Sequence, residues 1–202
     1  MGSLVQAYRS YSIRARLLTN SMTVVCDVDE DNDEVKLIGI NNKTNIKSID
    51  DIVIKIPSFV NKIGYQPFRD VEGRIKVEYA GDKLTDISGL FENASKIERI
   101  DMKGFNTSKI TKMNRLFFDC KRLTSLYMMP LDISLVEEMS ELAAGCEKLV
   151  IVYMPYSSIN CMKNMENMFN GCNNLECVIS EISKIPKECI VDEHTKELLG
   201  IK

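Results

Sequence analysis

The sequence predicts an α/β repeat solenoid, with parallel strands on one face, short helices on the other and an N-terminal β-hairpin cap. Three observations predict it. A 26-residue period runs without gaps through the second half of the chain: Leu90, Leu116, Leu142 and Met168 share one column, and Ile97, Leu123, Leu149 and Leu175 share another. Within each copy an alternating apolar pair (Ile100 and Met102, Leu126 and Met128, Val152 and Met154) is followed by apolar residues at helical spacing. Polar residues punctuate every copy at the same places. A unit of this size cannot bury its apolar side alone and must stack on its neighbours.

Taken in order, residues 1–46 form the expected cap. Met22 to Asp29 and Glu34 to Ile40 are β-prone runs around an acidic Asp-Asn-Asp turn, the pattern of a hairpin. A cap is required because a terminal coil otherwise shows its core and a raw strand edge. Residues 47–89 read as irregular coils, with a strand-and-turn segment from Ile52 to Gly64 and an alternating strand from Arg74 to Tyr79; Leu84 and Ile87 stand on the next helical stripe. Residues 90–182 hold the regular repeats, and residues 183–202 read as a C-terminal cap, the whole forming one continuous domain.

In the regular unit, Ile97, Ile100 and Met102 follow an L-x-x-L-x-L spacing, the last two inward along a strand. Ser108, Ser134 and Asn160 then share a column suited to helix N-caps. Ile110, Met113, Leu116 and Phe117 follow as the helical stripe. The column Asn93, Asp119, Gly145, Gly171 contains the residue types that best tolerate the left-handed conformation ending a helix. One short strand and one short helix per turn is the expectation.

The string TSKITKMNRLFFDCKRLTSL, Thr107 to Leu126, resembles the T-S-x-V-x-x-M-x-x-M-F-x-x-C-x-x-L-x-x-L unit of BspA-type leucine-rich-repeat proteins, and MENMFNGCNNL, Met165 to Leu175, resembles it more closely. IPSFVNKIGYQPF, Ile56 to Phe68, resembles a sister repeat of that group, with Gln66-Pro67 where Ala is usual. The resemblance covers roughly residues 50 to 182 and implies a leucine-rich-repeat-like solenoid used for macromolecular interaction, often at cell surfaces. It carries over no catalytic residues.

Composition narrows the function. With a net charge of −3 and a pI near 5.4, nucleic acid has little electrostatic support as a direct ligand. No apolar stretch approaches a membrane span, so no membrane insertion is expected. The first 22 residues carry Arg9, Arg14 and Arg16 and no apolar h-region, so no signal peptide is expected and the cytoplasm is the predicted compartment; a surface or secreted location stays open if a leader was removed.

Of the seven cysteines, Cys120, Cys146 and Cys172 share a column with Ala94, which says small and buried rather than bridged, and no CxxC pair starts a zinc site. The methionines Met102, Met113, Met128, Met139, Met154, Met165 and Met168 fall in core columns and read as filler. His194 is the only histidine and sits among acidic tail residues; no nucleophile elbow, phosphate loop or dinucleotide fingerprint is present. Asp27, Asp29, Asp31 and Asp33 alternate like the start of a calcium loop, but Asn32 stands at the Gly position and Ile38 at the Glu position. No metal, cofactor or catalytic activity is predicted.

What is left is the outward face of the strands. It reads Arg99, Asp101 and Lys103 in the first unit, Ser125, Tyr127 and Met129 in the second, Ile151, Tyr153 and Pro155 with Tyr156 in the third, then Cys177, Ile179 and Glu181. A face that should be polar if it met only water turns apolar and aromatic over adjacent coils. Tyr127, Met129, Ile151, Tyr153 and Tyr156, with Arg99, Asp101 and Lys103, are the candidate binding residues for another protein of unknown identity, and the charged early coils, including Lys76 and Glu78, form the polar rim. An inhibitor or adaptor, an exported BspA-type surface protein, and a homo-oligomer built through the same patch are the competing readings; Tyr and Ile as ordinary strand residues, or covered by the C-terminal cap, would account for the same pattern without binding.

Overall fold

The computed structural model describes residues 15–16, 22–29, 31–42, 52–156, 158–182 and 185–201. β1 (Ala15–Arg16), β2 (Met22–Asp29) and β3 (Glu34–Asn42) form an antiparallel ribbon, with a bulge between Val25 and Cys26. The turn joining β2 to β3 is held by Asp29, whose carboxylate accepts from Asp31 N (3.1 Å), Asn32 N (3.3 Å) and Asn32 Nδ2 (2.8 Å). These are local side-chain-to-backbone bonds of an Asx type, made by one of the four alternating aspartates. β3 is stitched to the segment that follows: Gly64 N–H donates to Leu37 O (2.7 Å), Ile40 N–H donates to Pro67 O (3.0 Å), and Lys62 pairs with Glu34.

From there the chain winds as a parallel-strand β-solenoid of about five turns. β4 (Ile52–Ile56) alternates buried and exposed residues, with Ile52, Ile54 and Ile56 inward. β5 (Lys62–Ile63) leaves the coil to join β3. β6 (Glu72–Tyr79) and β7 (Lys96–Asp101) continue the stack on β4 in the order β4-β6-β7. β8 (Ser125–Tyr127), β9 (Ile151–Tyr153) and β10 (Cys177–Ile179) form a second three-stranded parallel sheet, each residue opposite the one 26 positions on. β7 and β8 lie side by side without joining into one sheet.

The inside is a continuous apolar column. Phe68, Phe91 and Phe117 stack through it, with ring centroids 4.7 and 5.5 Å apart and the second pair parallel to 1°. Met102, Met113, Met128, Met139, Met154, Met165 and Met168 are all buried in it. Cys120, Cys146 and Cys172 make an unbridged ladder in which each thiol donates to a carbonyl of the preceding coil: Phe91 O (3.2 Å), Phe117 O (3.0 Å) and Ala143 O (3.0 Å). The Cys120 thiol and burial raise the pKa of Cys146, and Cys146 and burial raise that of Cys172, which favours the protonated, less nucleophilic form of these two thiols.

The expected helix in each turn is not formed. Residues 87–94 instead make successive i→i+3 turns, Leu90 N to Ile87 O, Glu92 N to Gly89 O and Ala94 N to Phe91 O, while the alternate N–H groups of Ile87, Gly89, Phe91 and Asn93 donate to carbonyls of the next coil. The same pattern recurs from Met113 and from Met139. Two left-handed positions per coil enforce it. The column Asn93, Asp119, Gly145, Gly171 has φ of 59, 55, 75 and 76°, and a second column four residues earlier, Gly89, Arg115, Glu141, Asn167, has φ of 67, 55, 51 and 58°. Two such residues within five cannot lie on an α-helix. Ser108 and Ser134 are not N-caps either: their own N–H groups donate to Asn106 Oδ1 (3.1 Å) and Asp132 Oδ1 (2.9 Å) in Asx turns. Asn160, in the same column, lies in a turn and opens no helix.

Arg115 tolerates its left-handed backbone because its side chain ties three coils together. It contacts Glu92 (3.0 Å) and Glu141 (2.5 Å) and lies 3.5 Å from the centroid of the Phe118 ring. The hydrogen bond to Glu92 holds its guanidinium above the usual arginine range. Substitution separates backbone from side chain: Arg115→Ala keeps the strained φ and loses the clamp, whereas Arg115→Gly loses only the clamp. Arg115→Gly is therefore expected to be about 1–2 kcal/mol more stable than Arg115→Ala in urea denaturation. Equal midpoints would mean that the left-handed conformation is not the constraint described here.

The single helix among the described residues closes the far end. α1 (Glu193–Leu199) is capped by Asp192, whose Oδ1 accepts from Thr195 N (2.9 Å), and ends at Gly200 in the left-handed region. Thr195 and Leu199 are buried against the last coil, and His194 is exposed on the helix.

Candidate interaction surface on the strand face

Because the coils stack in register, outward strand residues fall into columns across the sheet. β8, β9 and β10 align Ser125, Ile151 and Cys177 in one column and Tyr127, Tyr153 and Ile179 in the next. The Tyr127 and Tyr153 rings meet edge-to-face with centroids 5.7 Å apart, a favourable aromatic geometry that fixes both side chains. Tyr127 is 54% exposed and Ile179 40%, while Tyr153 and Ile151 are half-buried. Met129 is half-buried in the turn after β8, and Tyr156, 61% exposed, stands on a bend after β9. Pro155 is buried and contributes no exposed surface. α1 does not fold over this ladder, since Tyr127 and Ile179 stay open.

Arg99 and Asp101 lie on β7, and Lys103 lies in the turn beyond it. Arg99 and Lys103 are exposed and Asp101 is half-buried, its Oδ1 accepting from Lys103 N (2.8 Å). These three residues therefore border the aromatic ladder across the junction between the two sheets. The register extends the columns further. Asp101 pairs with Lys76, which pairs with Val53, and Arg99 pairs with Arg74. Glu78 gathers two cations, Lys76 at 2.6 Å and Lys55 at 3.4 Å. The bond to Glu78 raises the Lys76 pKa and the bond to Lys76 lowers that of Glu78.

Sequence reading placed the eight candidates on this face and took Lys76 and Glu78 of the early coils for its rim, but missed the register that joins them. The steps there are 23 residues between β4 and β6 and 24 to 25 between β6 and β7. The 26-residue columns therefore do not bring Lys76 opposite Asp101. Ile179 carried the signal, since it follows Tyr127 and Tyr153 in the repeat.

The turn side is different in character. Asp86, Lys112, Glu138, Asn164 and Ile190 form a run of parallel bridges, and Lys112 and Asn114 both reach Glu138, at 2.8 and 2.7 Å. Its polar groups answer one another along the run, which ends at the exposed Ile190. A shallow groove between Cys161, Lys163 and Lys187 lies at the C-terminal end of this side. Among the described residues, no group of three or more acidic, cysteine or histidine side chains is placed to hold a metal ion, and no helix is long and apolar enough to cross a membrane.

A stack of parallel coils with one polar and one partly apolar face is a repeat protein of the solenoid class. Residues 75–182, a little over half of the chain, match the family described as "Mycoplasma protein of unknown function, DUF285", and the chain belongs to that family. No curated protein and no solved structure matches it.

Proposed function

We propose that this chain is a non-catalytic protein–protein interaction module that grips a macromolecular partner through its strand face and acts in the cytoplasm as an inhibitor or adaptor. The coils are a leucine-rich-repeat-like variant of the BspA type, and the N-terminal hairpin serves as a cap for the first coil. One observation carries the reading: Tyr127, Tyr153 and Ile179 form an open apolar column on the strand face, where Asp101 and Lys76 hold the corresponding column in the two coils before. Exposed apolar clusters with a charged rim mark interfaces, and tyrosine anchors contribute roughly 1–2 kcal/mol or more each on truncation.

The test is capture from source-cell lysate by the intact chain and by a Tyr127→Ser/Met129→Ser/Tyr153→Ser variant, with circular dichroism confirming that both fold. A partner held by the first and lost by the second supports the reading. Equal retention assigns the binding to another face.

A further inference from the structure

The strand face carries a charge opposite to that of the whole chain. Over β4, β6, β7 and the turn after β7 it presents Lys55, Arg74, Lys76, Lys96, Arg99 and Lys103 against Glu72, Glu78, Glu98 and Asp101, a surplus of two positive charges in a chain of net charge −3. Glu78 is engaged by both Lys55 and Lys76, and the Asp101 carboxylate faces Lys76 across the strand pair and receives the Lys103 amide. Glu72 stands opposite Lys96, and Glu98 pairs with Arg122, so all four carboxylates have cations beside them. The positive surplus adjoins the Tyr127–Tyr153–Ile179 ladder, so the face is polarised along the solenoid axis: basic over the first coils, apolar over the last.

Resting on the strand-face reading above, we infer that the partner segment is an acidic–apolar peptide chain laid across the strands, its carboxylates over Arg74, Lys76, Arg99 and Lys103 and its apolar end over Tyr127, Tyr153 and Ile179. Charge complementarity selects this class of partner. The column from Val53 to Ile179 crosses six strands, about 24 Å at the usual spacing of about 4.8 Å, which an extended segment of roughly seven or eight residues spans. A single-stranded nucleic acid would also meet cations and aromatics. However, Tyr127 and Tyr153 meet edge-to-face instead of presenting two parallel platforms for successive bases, so the peptide is the better fit.

Fluorescence anisotropy with three labelled peptides tests this on the full chain. The first joins Glu-Asp-Glu-Glu to Leu-Phe-Leu-Phe, the second replaces the acidic half with Gln, and the third replaces it with Lys. A deoxythymidine oligonucleotide serves as the fourth probe. The acidic peptide is expected to bind at least about tenfold more tightly than the Gln peptide, and to weaken as NaCl rises from about 50 to about 300 mM. Arg99→Glu/Lys103→Glu, both exposed substitutions, is expected to remove that advantage without changing Gln-peptide binding.

Equal affinity for the acidic, Gln and Lys peptides overturns the acidic-partner inference. If that common affinity is lost in Tyr127→Ser/Tyr153→Ser, the strand-face reading stands without it. Binding of any peptide that ignores the tyrosine substitutions overturns both. Binding of the oligonucleotide alone replaces the peptide with a nucleic acid.

Discussion

Phe117→Ala is expected to lower stability by about 3–5 kcal/mol, seen as a fall in the urea midpoint. The ring is almost completely buried and stacks flat on Phe91, which in turn packs on Phe68. Residue 143 occupies the same column one coil on, and it is Ala. On that side no bulky side chain of the column borders the void, so it fills only in part and the cavity term adds to the lost transfer energy. The neighbouring Phe118 is half-buried under Arg115 and provides the control: Phe118→Ala should cost clearly less. Comparable losses at the two positions would mean that the aromatic stack is not the continuous element of the core.

Gly81→Ala should have an effect of similar size by another route. A Cβ at this position would lie 2.4 Å from the Ser58 carbonyl oxygen and 2.5 Å from both Cζ and Oη of Tyr79. The Tyr79 hydroxyl is a buried hub, donating to Val60 O (2.8 Å) and accepting from Lys83 N (3.2 Å) and Leu84 N (3.3 Å). Added bulk therefore forces both backbone and ring to move, and the bonds joining two coils go with them. The expected loss is about 2–4 kcal/mol, combining overpacking with disrupted buried hydrogen bonds. Tyr79→Phe alone should cost about 1–3 kcal/mol. On that background Gly81→Ala should be milder, because one colliding atom is gone, and a double-mutant cycle reads the coupling directly. Additive losses would show that the hydroxyl and the glycine act independently.

The stacking register was the most legible part of this fold. Leu116 over Leu142, Cys120 over Cys146 and Tyr127 beside Tyr153 follow from the 26-residue spacing, because identical coils place identical positions side by side. The helices were misread for a specific reason. Turns with i→i+3 bonds and inward residues at 110, 113, 116 and 117 produce the same three-and-four spacing as an amphipathic helix. The discriminating signal was a second left-handed column, and it was camouflaged. Gly89 and Asn167 at its ends suit that conformation, but Arg115 and Glu141 between them do not, and their compensation lies in ion pairs invisible to local propensity.

On the strand face, the tyrosine ladder could be anticipated because it lies wholly within regular repeats. Its edge-to-face geometry and the basic surplus could not. The former depends on side-chain rotation, and the latter on coils of 23 to 25 residues whose partners no fixed period reveals.

The register of β8, β9 and β10 also has a genetic consequence. Each coil there is built from the same number of codons, so an in-frame loss or duplication of one 26-codon unit shifts every later residue onto the position of its counterpart. Loss of residues 128–153, for instance, would place Met154 directly after Tyr127, where Met128 stands now. The aromatic strip would shorten by one rung, about 4.8 Å, while the surrounding stack keeps its alignment. A slip that is not a whole number of units would break that register. Recombination can thus alter the length of this surface in whole rungs without redesigning the interior.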